Sequence, residues 1–304
     1  MTWMKERTRS LVERLSLYDA YTKRMHHLPG LIRRIIEKAY ALRLRPGPTS
    51  LLGPRHRRSR DLVEIDITYA CNLKCFNCDR SCQQAPSADH MSLGQILYFL
   101  DETRLNRIQW RRIRVLGGEP TLHPQFLEIM KLILEYCEKY SPHTRIEVVT
   151  NGYGDRVNNT LIHLPARVKV RNTGKKSQIQ RDFNTFNVAP VDLQEYAGAD
   201  FSNGCWITEV CGMGVTPFGY YPCAAAGGID RIFGFDLGRN TLPEPDDDME
   251  QQLRAFCTYC GHFKLPTAQP LIGSVMSPAW SVAYARSRRE PVVLSRLPEA
   301  ATWR

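Results

Sequence analysis

Ten cysteines, in two groups with one stray, constrain this 304-residue chain more than any other feature. Cys71, Cys75, Cys78 and Cys82 sit close together, Cys137 stands alone, and Cys205, Cys211, Cys223, Cys257 and Cys260 form the second group. In a small secreted domain such a count reads as a disulfide framework. This chain is long enough to bury a sizeable core without cross-links. Its first residues, MTWMKERTRS, are charged where an export signal needs an apolar stretch, so a cytoplasmic location is expected. Closely grouped thiols then read as ligands for metal or iron–sulfur centres. No apolar run of about 18 residues occurs, so no membrane-spanning helix is expected.

Charge and periodicity divide the chain. Residues 1–60 hold fifteen Lys or Arg against four Asp or Glu, a surplus of +11, while the whole chain carries +10. The basicity therefore belongs to an N-terminal extension. Helical spacing marks 10–27 and 31–43, and Pro46 to Arg60 reads as a linker. The extension reads first as a helical pair packed on the body, and second as a platform for RNA, an anionic substrate or a membrane surface. From residue 61 strands alternate with helices: strands at 62–67, 113–116, 146–149 and 168–170, helices at 91–105 and 124–140. Such β–α repetition predicts a parallel sheet with helical cover. Beyond about residue 200 Gly, Pro and Cys replace this alternation.

The first strand runs directly into Cys71-Asn72-Leu73-Lys74-Cys75-Phe76-Asn77-Cys78. A short loop of this kind wraps three thiolates around three corners of a [4Fe–4S] cube and leaves one iron open. Structural zinc prefers four ligands in paired knuckles, which this spacing fits poorly. Cys82 reads as a loop thiol. At the end of the next strand stands Gly117-Gly118-Glu119-Pro120, and the third ends in Thr150-Asn151. His123 reads as a loop or cap residue, and Cys137 as a buried structural thiol on an apolar helix.

The C-x3-C-x2-C loop with Phe76 inside it, followed by Gly-Gly-Glu-Pro, resembles the radical S-adenosylmethionine (SAM) superfamily over residues 61 to about 190. The resemblance implies an α/β fold, a partial (β/α)6 barrel, with Cys71, Cys75 and Cys78 holding the SAM-binding cluster. It implies that Phe76, Gly117, Gly118, Glu119, Pro120, Thr150 and Asn151 line the SAM site, Glu119 offering its carboxylate to the SAM ammonium. SAM is then cleaved by one electron from a flavodoxin- or ferredoxin-type donor, and the resulting radical abstracts hydrogen from an unactivated C–H bond.

The second cysteine group resembles the auxiliary-cluster region of SPASM and twitch enzymes, the shorter twitch form fitting better because no cysteine follows Cys260. A zinc knuckle is the alternative, since both metals accept four thiolates. Five cysteines contend for four irons. In one register Cys205, Cys211 and Cys223 bind with one of Cys257 and Cys260, Cys260 being taken as the ligand and Cys257 as its alternative. In the other, Cys257 and Cys260 both bind, leaving Cys205 or Cys211 spare. A spare thiol can return hydrogen to a substrate carbon, as in radical SAM epimerases; the first register makes Cys257 that donor, with Cys211 or Cys205 next.

The expected organisation is a basic helical extension (1–60), a radical SAM core (61–200), an auxiliary-cluster region (201–265) and a tail (266–304). The expected reaction is epimerisation of a sugar-like or aminocyclitol small molecule, with two [4Fe–4S] clusters. Dehydrogenation at a similar carbon and modification of a ribosomally made peptide are the alternatives. A non-enzymatic iron–sulfur or zinc protein that binds nucleic acid through residues 1–60 stands last.

Overall fold

The computed structural model describes residues 30–180, 186–265 and 275–302; the helical segment expected at 10–27 lies outside them. Helix α1 (Gly30–Arg43) follows the sequence periodicity. The stretch expected to be a linker begins instead with a short helix, α2 (Pro46–Leu52). Pro46 occupies its first turn, where the missing N–H has no intrahelical partner to lose.

The body alternates as expected through β1 (Leu62–Thr68), α3 (Leu93–Leu105), β3 (Arg112–Gly117), α4 (Phe126–Tyr140), β4 (Arg145–Thr150), α5 (Asp155–Leu161) and β5 (Lys169–Asn172), with the short β2 (Lys74–Cys75) in the loop after β1. Ser92 starts α3 with a reciprocal cap: its hydroxyl accepts from the Gln95 N–H while the Gln95 side chain accepts from the Ser92 N–H. Then come β6 (Ile179–Gln180), α6 (Trp206–Val210), β7 (Met213–Thr216), β8 (Gly219–Tyr221), α7 (Ala224–Phe233), α8 (Glu250–Cys257) and α9 (Pro278–Arg289).

Six strands form one sheet in the order β5-β4-β3-β1-β7-β8, while β2 pairs with β6. The first five run parallel, and β8 returns antiparallel along β7. Of the expected partial (β/α)6 barrel, the structure shows an α/β fold with a mostly parallel central sheet, in which the cysteine-rich region supplies the fifth parallel strand. Ile65 of β1 stands between Val115 of β3 and Val215 of β7, so the sheet continues across residue 200.

Side-chain alternation gives the sheet two different faces. Val63, Ile65, Ile113, Val115, Ile146, Val148, Met213 and Val215 join Ile96 and Phe99 of α3 and Ile129 and Ile133 of α4 in one apolar core. The alternate positions carry Glu64, Asp66, Arg112, Arg114 and Glu147, all buried. Burial of so many charges is tolerated because they are paired. Arg114 bridges Glu64 and Glu147, and Arg80 from the cysteine loop reaches Asp66 at 3.1 Å. Helix α7 packs on this second face. A methyl group on Gly214 would lie 2.5 Å from the Ala224 backbone, and one on Gly227 2.6 Å from Thr216. Only hydrogen fits at either position. A second core surrounds α7, where Trp280 and Tyr284 of α9 meet Phe186, Ile229 and Phe256.

Candidate active site

The C-terminal ends of β1, β3 and β4 meet at one place, and the sequence motifs lie there. Gly118 donates its N–H to the Thr68 carbonyl and Glu119 to the Ala70 carbonyl, both at 2.8 Å. This lacing explains the glycines. A Cβ at position 117, where φ is +133°, would stand 2.2 Å from the Thr68 oxygen, and one at 118 would stand 2.3 Å from the Ala70 oxygen. Both glycines admit neighbouring backbone.

Glu119 is fully buried, and its carboxylate is engaged within the chain. It accepts from the Thr121 N–H and hydroxyl, the Thr150 hydroxyl and the Asn151 N–H, at 2.8–3.2 Å. These contacts pin the end of β4 to the end of β3. Pro120 opens the short turn that supplies Thr121. The Asn151 amide donates to Asn72 Oδ1 at 2.8 Å and its oxygen accepts from the Tyr153 N–H at 2.7 Å, tying β4 to the cysteine loop. His123 holds the following turn, Nε2 lying 2.8 Å from the Met91 carbonyl and Nδ1 accepting from the Gln125 N–H. Cys137 is buried in the apolar core, away from both sets.

In the cysteine loop Asn77 and Ser81 both adopt left-handed backbone, φ +53°, which folds it back on itself. Cys78 lies close enough to raise the thiol pKa values of Cys71 and Cys75, and Cys71 that of Cys75. Burial first, then these neighbours, pushes Cys71 up to about 11 and Cys75 up to about 12. The Asn151 side chain favours the ionised form of Cys71. Cys82, read as a loop thiol, lies against the Cys78 sulfur and holds the Cys78 thiol below its ordinary value. Phe76 is half-buried, its N–H donating to the Gln180 carbonyl at 2.8 Å. The loop thus gathers Cys71, Cys75 and Cys78, with Cys82 against Cys78 as a fourth thiol beside the expected three.

Residues without a sequence signal fasten this loop. Arg231 of α7 donates to the carbonyls of Ala85 and Arg80 at 2.8 Å, with its guanidinium 4.6 Å above the Tyr69 ring. Tyr284 of α9 meets the Ser81 hydroxyl at 2.7 Å. Asp79, next to Cys78, faces His262 at 3.9 Å, two residues past Cys260. Against burial, which raises it, Arg80 and His262 hold the Asp79 carboxyl well below the usual range.

The second group separates into four and one. Cys205, Cys223, Cys257 and Cys260 line one small cavity, with Ile207, Ile229, Phe256 and His262 around them. Cys205 and Cys223 are the N-cap residues of α6 and α7, Cys257 ends α8 and Cys260 begins the turn after it. First-turn N–H groups of Ile207, Thr208 and Ala226 favour ionised sulfur at the two caps, although burial drives all four thiols upward. Cys211 does not line this cavity. It lies beside Glu64, Arg114 and Arg112, whose guanidinium donates to its carbonyl. Burial pushes its thiol up to about 12. Cys257 thus lines the cavity and Cys211 does not, although Cys211 lies near enough to raise the Cys205 and Cys223 thiols. Among the described residues no three His, Cys, Asp or Glu side chains close on a point that holds a single metal ion.

Comparison with known proteins matches residues 65–168 to the Radical SAM superfamily, so these residues form a radical SAM domain. Such a domain implies SAM and a [4Fe–4S] cluster. A probable GTP 3',8-cyclase of Thermococcus kodakarensis is 30% identical over 131 residues, covering 41% of this chain and 42% of that protein. The mycofactocin maturase MftC of Mycobacterium ulcerans is 33% identical over 87 residues, 29% of this chain and 21% of that one. The chain thus spans less than half the length of these relatives. Among solved structures, BtrN in complex with AdoMet and 2-DOIA covers 72% of this chain at 12% identity and a TM-score of 0.41. No described helix is long and apolar enough to cross a membrane.

Proposed function

We propose that this chain is a radical SAM enzyme with two [4Fe–4S] clusters. Cys71, Cys75 and Cys78 hold the SAM-binding one, and Cys205, Cys223, Cys257 and Cys260 hold the auxiliary one. When bound, the first cluster and SAM supply a one-electron cleavage that generates a hydrogen-abstracting radical. The observation that carries the reading is the grouping of the cysteines: Cys71, Cys75 and Cys78, with Cys82 beside Cys78, on a folded loop at the strand ends, and Cys205, Cys223, Cys257 and Cys260 around one cavity. Both an iron–sulfur cluster and zinc accept four thiolates, and the radical SAM match of residues 65–168 is what favours the cluster.

The protein's own contribution is positioning. Gly117 and Gly118 draw β3 against β1, Glu119 ties β4 to them, and Asn151 orients the loop that carries Cys71. We assign the reaction to a carbinol or amine carbon of a sugar-like or aminocyclitol molecule, with epimerisation as the outcome. Cys211 is the hydrogen donor in this reading: it lies outside the four-cysteine set, beside the charged face of the sheet, and burial keeps its hydrogen on sulfur. Donation breaks the S–H bond and forms the C–H bond; the resulting thiyl sulfur then takes one electron from the external one-electron donor and one proton from solvent. Dehydrogenation is the second reading, favoured by the Asp79–His262 contact, which sets the two cysteine groups side by side for electron transfer.

The deciding experiment is turnover in D2O. Inversion through Cys211 places one solvent deuterium on the inverted carbon, and Cys211→Ala keeps SAM cleavage and both clusters but yields no inverted product. Product two hydrogens lighter and free of deuterium would establish the second reading instead.

A further inference from the structure

Between Arg156 and Arg181 the chain carries seven Lys or Arg and no Asp or Glu. Beyond residue 60 the chain as a whole sums to about −1, so this is a local concentration of positive charge. The structure places its described part at an open edge. Strand β5 is the last strand on its side of the sheet, and all four of its residues are exposed.

The same segment leans on the cysteine loop. The Thr173 and Lys175 N–H groups donate to the carbonyls of Thr150 and Asn151 at 2.9 and 3.0 Å, and the Lys74 N–H donates to the Gln178 carbonyl at 2.7 Å. Cys75 pairs with Gln180 across β2 and β6. Lys74, Lys169, Arg171 and Lys176 are exposed and form no ion pair among the described residues. The nearest acidic residue at the N-terminal border is Asp155. Val170 and Ile179, 38% and 47% exposed, put apolar surface between the cations.

We propose that this edge, centred on Lys74, Arg171 and Lys176, docks an acidic one-electron carrier protein beside Cys75. The inference rests on the radical SAM reading, which requires an external electron. The carrier loses one electron and the cluster held by Cys71, Cys75 and Cys78 gains it; no bond is made or broken. Charge complementarity steers such an encounter, and the interspersed apolar residues give it a contact core. A nucleic acid would use the same charge, but from Arg156 to Gln180 the segment has no Phe, Tyr or Trp on which a base stacks.

The test compares the wild-type holoenzyme with Arg171→Glu/Lys176→Glu, using reduced flavodoxin or dithionite as the electron source for SAM cleavage. The expected result is a flavodoxin KM raised on the order of tenfold or more, with dithionite-driven cleavage unchanged. Equilibrium binding of flavodoxin, read by titration calorimetry, weakens in parallel, and wild-type affinity falls with added salt. Equal flavodoxin KM and affinity in the two proteins would overturn the surface while leaving the enzyme reading intact. Absence of dithionite-driven cleavage in the wild type would overturn the enzyme reading and the surface with it. Unchanged flavodoxin kinetics together with lost binding of an RNA oligonucleotide would reassign the edge to nucleic acid.

Discussion

Replacing Gly214 by Ala tests the placement of α7, on which the four-cysteine cavity depends. The new methyl would stand 2.5 Å from both Cα and N of Ala224 and 2.6 Å from the carbonyl carbon of Cys223. Comfortable carbon contacts begin at about 3.5 Å, so the helix start must retreat by roughly 1 Å. All three obstructing atoms are backbone, so no side-chain rotation relieves the clash. Overpacking of this kind costs about 1–3 kcal/mol. For a chain of this size each kcal/mol moves Tm by about 2–4 °C, giving a loss of roughly 2–12 °C. Cys223 caps the same helix, so the displacement also moves one cavity thiol. Thermal unfolding of the apo protein reads the first effect, and iron per reconstituted chain reads the second, falling from about eight toward four. Gly47→Ala, where an added Cβ meets nothing within 4 Å, serves as control. A Gly214→Ala protein with unchanged Tm and iron content would refute the packing of α7 on this face.

Four further outcomes are expected. Cys75→Ala abolishes SAM cleavage under reducing conditions while leaving about four irons in the cavity set, read by product analysis and iron determination. Glu119→Gln turns an amide donor toward four donors and lowers apo stability by about 2 kcal/mol, seen in denaturant unfolding without SAM. Arg231→Met leaves the Arg80 and Ala85 carbonyls unpaired and costs about 3 kcal/mol, with faster loss of iron from the Cys71 loop on chelator challenge. Burial raises the Asp66 carboxyl to about 6 against Arg80, so the folded chain keeps a proton the unfolded one releases. That group makes stability fall as pH rises from about 4 to 6, by about 3 kcal/mol in all, and Asp66→Asn removes this component of the pH–stability curve.

Local pattern was readable from the chain. Apolar alternation located β1, β3 and β4 because each strand shows its face through period-two spacing, and helical spacing located α3 and α4. The cysteine loop and Gly117-Gly118-Glu119-Pro120 were legible because their chemistry depends on close sequence neighbours. The short helix α2 was hidden behind Pro and Gly, which also mark linkers. Arg231 offered no signal, since its partners lie about 150 residues away.

The sequence by itself determined that this chain forms β–α units and carries two groups of thiols fit for iron–sulfur ligation. It could not tell which four of the five later cysteines line one cavity, because that choice is made by long-range contact. Gly214 lets α7 cross the sheet and set Cys223 opposite Cys205, Cys257 and Cys260, whereas Cys211 is held beside Arg112 and Arg114. Spacing along the chain carries no record of which face of the sheet a helix covers. Nor does it reveal that Glu119 spends its carboxylate on Thr121, Thr150 and Asn151, since two of those partners arrive from another strand. Only packing brings such groups together, and a buried carboxylate must then be satisfied by whatever donors the fold places around it.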